Sequence, residues 1–254
     1  MRVLMLGNSL TTAHDLPRLL LARLSERCGA KVEVVVHARG GARLSEHLNP
    51  KTKNGARTLR ALGRLCGERQ AGLDFVVLQE MSHAPATTPE AYLRAASGLC
   101  ELARSAGARP VIYGTWAYER DSAALARLVE RHPEACGRAC IHCPHSDVRC
   151  EGPGVTDGFA PCMGMHGLMH GAFATAAREG GAVLADVGSA FVEYHGVGSP
   201  YSSDGVHPSE VGALLAADVI ARAIAGAWRN PPASGGLSQG ASEPLSVKRG
   251  RRTR

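Results

Sequence analysis

Aromatic residues are scarce in this chain of 254 residues: four Phe, two Trp and five Tyr make up 4% of it. So few rings give no sign of a sugar-stacking platform or of an apolar tunnel for a long acyl chain. Long apolar runs are missing as well. Arg2 is followed by an apolar run that stops at Gly7-Asn8, too short for the 7–15-residue core of a secretory signal. The best later stretch, ALLAADVIARAIAGAW, is interrupted by Asp218 and Arg222, so no membrane span is expected. These absences favour a soluble, cytoplasmic protein. A large excess of one charge sign is also lacking over most of the chain. The formal net charge is +6, but Lys248, Arg249, Arg251, Arg252 and Arg254 face only Glu243 after residue 229, so four of those six charges sit in the tail. That tail, 230–254, is rich in Pro, Gly and Ser with little to bury. It reads as a disordered basic extension, and no specific nucleic-acid partner is implied.

What is present is a substantial hydrophobic fraction, 44%, enough for one core in a single domain over residues 1–229. Strand-like and helix-like stretches alternate along it. RVLML (2–6), KVEVVVH (31–37), DFVVLQ (74–79), RPVIYGTW (109–116) and GAVLADVG (181–188) are apolar and β-branched. Between them HDLPRLLLARLSERCG has Asp15 placed to cap a helix, Pro17 in its first turn and Gly29 at its end. GARTLRALGRLCGER repeats Leu59, Leu62 and Cys66 at helical spacing, Thr88-Pro89-Glu90 opens a third helix, and another runs through His170 to Glu179. PSEVGALLAADVIARAIAGAW closes the domain as a long amphipathic helix. This alternation predicts a three-layer α/β/α sandwich: a flavodoxin-like parallel sheet of about five strands, covered by helices on both faces.

In such sheets the working groups collect beyond the carboxyl ends of the strands. Strand one ends in Asn8-Ser9, strand two in the Gly40-Gly41 turn, and strand three in Gln79-Glu80-Met81-Ser82. The loop before the last helix, SSDGVHPSEVG, holds Asp204 and His207 three residues apart. Together these supply the parts of acyl transfer. Ser9 needs a base to take its proton, His207 can be that base, and Asp204 can fix the imidazole tautomer. The Ser9 N–H, a glycine N–H from the turn and the Gln79 amide are candidate donors to an oxyanion, and no cofactor is required. Each residue also has a bland reading: Ser9 as a helix cap, Asp204 as part of a turn, Gln79 as a buried amide serving backbone groups, and His14, His37, His83 and His195 as surface or structural histidines.

The ordered set of GNSL, a Gly-Gly turn, an amide after strand three and DGVHPS resembles the SGNH/GDSL hydrolase superfamily over about residues 2–228. The resemblance implies Ser9 as nucleophile, Asp204 and His207 as its partners, and Gly41, or Gly40 one residue earlier, as the second-block glycine. Asn8 replaces the usual Asp of the first block, and LQEMS replaces the usual Gly-x-Asn-Asp of the third. The VVLQE form is similar to the branch containing carbohydrate acetylesterases. The implied activity is hydrolysis of a small ester, an O-acetyl group on a carbohydrate being one substrate class. An acyltransferase using the same triad is the first alternative.

A second constellation lies in an insertion at about 132–165, where Cys136, Cys140, Cys143, Cys150 and Cys162 occur with several histidines. CGRACIHC has the Cys-x3-Cys-x2-Cys spacing of radical S-adenosylmethionine enzymes, but it follows strand four and not the first strand of a barrel. Gly167 stands where a His-Glu-x-x-His motif would need its glutamate, between His166 and His170. A structural zinc, a disulfide and ordinary thiols all fit these cysteines. A non-catalytic metal-containing binding module is therefore the second alternative.

Overall fold

The structure is a computed structural model that describes residues 1–63, 72–136 and 160–230. Five parallel strands form one sheet in the order β2-β1-β3-β4-β5. They are β1 (Arg2–Gly7), β2 (Glu33–Ala38), β3 (Phe75–Leu78), β4 (Arg109–Gly114) and β5 (Val183–Asp186). That order is the flavodoxin-like one, with helices on both faces as the alternating sequence predicts. The inner strand β1 pairs along Val3–Leu6 with β3 on one side and along its whole length with β2 on the other.

Because successive strand residues point to opposite faces, β1 feeds two cores. Val3 and Met5 pack with Phe75, Val77, Val111 and Tyr113 beneath α2 (Leu16–Cys28) and α10 (Glu210–Arg229). Leu4 and Leu6 pack with Val76, Leu78 and Ile112 beneath α6 (Pro89–Ser105) and α8 (Met163–Gly180). The remaining helices are short: α1 (Ser9–Thr12), α3 (Leu44–His47), α4 (Lys53–Ala61), α5 (Ala84–Thr87), α7 (Ala123–Arg131) and α9 (Val187–Val192). Among the described residues α10 alone is long and apolar enough to cross a membrane by length and composition. Half of that stretch is buried inside the fold.

Several expectations change in detail. Asp15 does not cap α2. It sits in the left-handed region at φ 55° with no side-chain cap bond, because the chain leaves α1 through a kink at His14 and Asp15. Thr88 precedes α6 without capping it, its hydroxyl donating to the Ala84 carbonyl instead. The second expected helix is α4, which ends at Ala61; Cys66 lies outside the described residues, as do Cys140, Cys143, Cys150 and the 231–254 part of the tail. Gly29 closes α2 in the left-handed conformation, as its position suggests.

Candidate active site

The carboxyl end of β1 explains the abrupt Gly7-Asn8-Ser9. An added Cβ at Gly7 would clash with Thr11 Oγ1 and lie 2.5 Å from Gln79 Oε1, so only glycine lets the first turn of α1 fold back over β3. Asn8 caps α1, its Oδ1 accepting from the Leu10 N–H at 3.1 Å. Its Nδ2 donates to the Ala42 carbonyl at 3.0 Å, which ties the nucleophile block to the turn after β2. Ser9 thus stands at the first position of α1, where a helix start leaves N–H groups without intrahelical acceptors.

Across the sheet edge, Ser9 Oγ lies 3.0 Å from His207 Nε2, and His207 Nδ1 lies 2.6 Å from Asp204 Oδ2. Residues 198 positions apart therefore form the Ser-His-Asp chain that the sequence suggests. Asp204 Oδ1 also accepts from the N–H groups of Val206 and His207, both at 2.9 Å. Partial burial raises the Asp204 carboxyl, but the bonds from the His207 ring and from these two backbone donors outweigh it and hold the group below its ordinary value. As a carboxylate it can only accept, so Nδ1 carries the proton and Nε2 offers its lone pair to the Ser9 hydroxyl.

The loop bearing Asp204 and His207 is bonded to the segment 116–119 after β4 and to His14. Trp116 Nε1 donates to the Val206 carbonyl at 2.9 Å, its ring stacked on Phe191 at 4.1 Å. The Tyr201 hydroxyl donates to the Ala117 carbonyl at 2.8 Å, and the Glu119 N–H to the Gly205 carbonyl at 2.9 Å. His14, read as surface or structural, donates from Nε2 to the Pro208 carbonyl at 3.1 Å and so joins the end of α1 to the histidine loop. A buried Trp or Tyr usually finds a partner for its polar atom, which is the one signal that could have marked Trp116 and Tyr201.

The turn after β2 runs from Arg39 to Ala42 and is closed by the Ala42 N–H on the Arg39 carbonyl at 2.9 Å. Gly41 takes φ 67°, whereas Gly40 is not in the left-handed region, so Gly41 is the position that requires glycine. Beyond the turn, the Leu44 N–H donates to the buried carboxylate of Glu80, which also accepts from its neighbour Met81 at 2.7 Å. Burial raises the Glu80 carboxyl against the pull of those two donors and of Arg43.

Gln79 is fully buried. Its Oε1 accepts from the Asn8 N–H and from the Thr11 hydroxyl, each at 2.9 Å, and its Nε2 donates to the Glu80 carbonyl. Of the two roles open to it in sequence, donor to an oxyanion or partner of backbone groups, these bonds serve the second. Past the end of β3, Ser82 Oγ and the hydroxyl of the buried Tyr118 are 2.8 Å apart, and His83 stands edge-on to the Tyr118 ring. Burial, with Arg43 nearby, pushes His83 down to about 4.

The described residues contain no group of three or more His, Cys, Asp or Glu placed to share a metal ion. Cys136 and Cys162 are both buried with Sγ atoms 3.5 Å apart. His166 and His170 are neighbours on α8, and His170 pairs with Asp186 at 3.1 Å.

No protein-family model matches the chain, and no curated protein matches it. Solved structures do. An acetylxylan esterase from Geobacillus stearothermophilus is 11% identical with a TM-score of 0.55, over 88% of this chain and 93% of that one. A lipase/acylhydrolase from Enterococcus faecalis is 17% identical with a TM-score of 0.52, over 89% and 96%. Both share the fold. A protein from Slackia heliotrinireducens described as an SGNH hydrolase is 45% identical, with a TM-score of 0.67 over 88% of this chain and 98% of that one. Identity at that level over nearly the whole fold, joined to the Ser9-His207 contact at the carboxyl edge of the sheet, places this chain in the SGNH hydrolase family of serine esterases.

Proposed function

We propose that the protein hydrolyses a small carboxylic ester through an acyl-enzyme on Ser9, with O-acetyl groups on a carbohydrate as its substrate class. The observation that carries the reaction is the chain of contacts from Ser9 Oγ through His207 to Asp204. Ser9 Oγ attacks the ester carbonyl carbon while its proton passes to His207 Nε2. Asp204 holds the resulting imidazolium, and the carbonyl oxygen becomes an oxyanion. The backbone N–H groups of Ser9 and Gly41 are its donors, and Gln79 supports them from below by holding the Asn8 backbone. His207 returns the proton to the leaving alcohol oxygen, and the acyl group stays on Ser9. Water, giving a proton to the same imidazole, then attacks the acyl carbon; the bond from Ser9 Oγ to that carbon breaks, Oγ takes the proton back from His207, and the acid is released.

The substrate class rests on the VVLQE resemblance. The named substrate of the Geobacillus stearothermophilus enzyme is of the same kind. Turnover of short p-nitrophenyl esters and of acetylated oligosaccharides by wild type and Ser9→Ala tests the reading, with mass spectrometry of fluorophosphonate-treated protein. The wild type is expected to hydrolyse both and to carry the label on Ser9, and the variant to do neither. Label on another residue, or undiminished turnover in the variant, refutes the mechanism. Turnover of the p-nitrophenyl ester alone refutes only the carbohydrate substrate.

A further inference from the structure

Apart from the Ser9–His207 contact itself, one hydrogen bond among the described residues joins the nucleophile stretch 8–15 to the loop 199–209 that carries the base: His14 Nε2 donates to the Pro208 carbonyl at 3.1 Å. The same carbonyl accepts from the Ser202 hydroxyl at 2.7 Å, and the His207 carbonyl accepts from the Ser202 N–H at 2.8 Å. Those two bonds lie inside the loop, as does the bond from the His207 N–H to Asp204. Among the described residues, His14 is therefore the one partner that the backbone of His207 and Pro208 has outside the loop. On the serine side, the Ser9 carbonyl accepts from the N–H of Ala13, the residue before His14. A short path thus runs from Ser9 through Ala13 and His14 to the residue after His207.

The backbone that carries His14 is unfavourable. His14 and Asp15, at φ 48° and 55°, are the non-glycine residues with positive φ among the described ones, and they are consecutive. A Cβ is disfavoured in the left-handed region, and such residues persist where their surroundings over-determine them, often at functional sites. Glycine takes this conformation at no steric cost but brings no side-chain donor. The residue as a whole is exposed, so the bond to Pro208, and not burial of the ring, is what its side chain contributes. We propose that His14 is a positioning residue for the reaction, its left-handed backbone kept because the Nε2 bond to Pro208 sets the distance between Ser9 Oγ and His207 Nε2. The role rests on Ser9 being the nucleophile of an esterase, and His14 acts through His207 without touching substrate. A carbonyl acceptor requires a proton on Nε2, so the neutral His14 ring is the Nε2–H tautomer.

Steady-state kinetics on a short ester, the rate of fluorophosphonate labelling of Ser9 and Tm, measured on the full chain and its variants, test the role. His14→Gly relaxes the backbone and removes the donor: kcat and the labelling rate should fall about tenfold with KM within about twofold, while Tm stays within about 3 °C of wild type. His14→Gln, whose side-chain amide can donate over a similar reach, should recover kcat to within about threefold of wild type, and Asp15→Gly, which relaxes the neighbouring residue alone, should leave it within about twofold. A His14→Gly enzyme within about twofold of wild type, one whose loss of kcat comes with a fall in Tm above about 6 °C, or a His14→Gln enzyme as slow as His14→Gly overturns the role. The wild type supplies a check that needs no variant: ¹H–¹⁵N spectra must show the neutral His14 ring protonated at Nε2, and an Nδ1–H ring overturns the bond. Wild type with neither turnover nor label on Ser9 refutes the esterase reading and this role with it, whereas an active wild type matched by His14→Gly refutes the role alone.

Discussion

Replacing Gly7 by Ala is a one-atom perturbation with a calculable cost. The new Cβ would overlap Thr11 Oγ1 and lie 2.5 Å from Gln79 Oε1. The strand cannot move aside, since β1 is bonded to β2 and β3 on both edges. The side chains must therefore yield, and turning Gln79 away strands the buried Asn8 N–H and Thr11 hydroxyl that it accepts. Overpacking of a tight core costs about 1–3 kcal/mol, and a buried donor left without an acceptor about 1–3 kcal/mol. Partial relaxation makes the sum less than additive, so a loss of about 3–4 kcal/mol is expected, or about 6–15 °C in Tm for a domain of this size. Urea unfolding followed by circular dichroism, with kcat measured on a short ester, is the assay. In a Thr11→Ala background the nearer clash is absent, and Gly7→Ala should cost less than in wild type by 1 kcal/mol or more. A loss below about 0.5 kcal/mol with unchanged kcat would refute the claim that glycine is required here for close approach.

Asp204→Asn should lower kcat by about 10³–10⁴-fold with little change in KM, because a neutral amide no longer selects the Nδ1–H tautomer; a loss under tenfold would show that Asp204 does not orient the base. Trp116→Phe keeps the stack on Phe191 but removes the bond to the Val206 carbonyl. A fall in kcat of about tenfold with unaltered KM and a stability loss near 1 kcal/mol is expected, and an unchanged kcat would remove Trp116 from the positioning of His207. His37 is buried and pushed down to about 4 by burial and by the nearby charges of Arg57 and His47. Between about pH 6.5 and 4 its unfolded form binds a proton that the folded form does not, so stability rises with pH there and is lost on acidification, by up to about 1.4 kcal/mol per pH unit. Urea titrations of wild type and His37→Asn across that window should show a shallower pH dependence in the variant; identical slopes would refute the assignment.

The strands were legible because each is a short apolar run on a sheet buried on both faces, as in β1, where Val3 and Met5 oppose Leu4 and Leu6, and in β3, where Phe75 and Val77 oppose Val76 and Leu78. Helix starts were less so. Asp15 and Thr88 are capping residue types, yet chain direction decides whether a side chain can reach the free N–H groups, and both sit where the preceding helical turn has already set that direction. Ser9, Asp204 and His207 could be paired from sequence because Ser9 ends an apolar strand, Asp204 and His207 stand three residues apart in the loop before the last helix, and the blocks holding them follow the family's order. The residues that hold them in register could not. Trp116, Tyr201 and His14 act through single bonds to backbone carbonyls 90, 84 and 194 positions away, which leave no local pattern.

Gln79 shows why an amide at a strand end is hard to assign. Its sequence position, after an apolar strand and one step from Glu80, fits a donor to an oxyanion as well as a brace. What separates the two is Gly7 on the neighbouring strand: without a Cβ there, the Gln79 amide can enter the space beneath Asn8 and take up its N–H. Asn8 then uses its own amide on Ala42 in the glycine turn, and Glu80 takes the Leu44 N–H just beyond it. The backbone of Asn8, next to Ser9, and that of the Gly41 turn are thus set by buried acceptors and donors. The proposed mechanism accordingly assigns the oxyanion to main-chain N–H groups, because main-chain donors held by buried bonds need no reorganisation as charge develops.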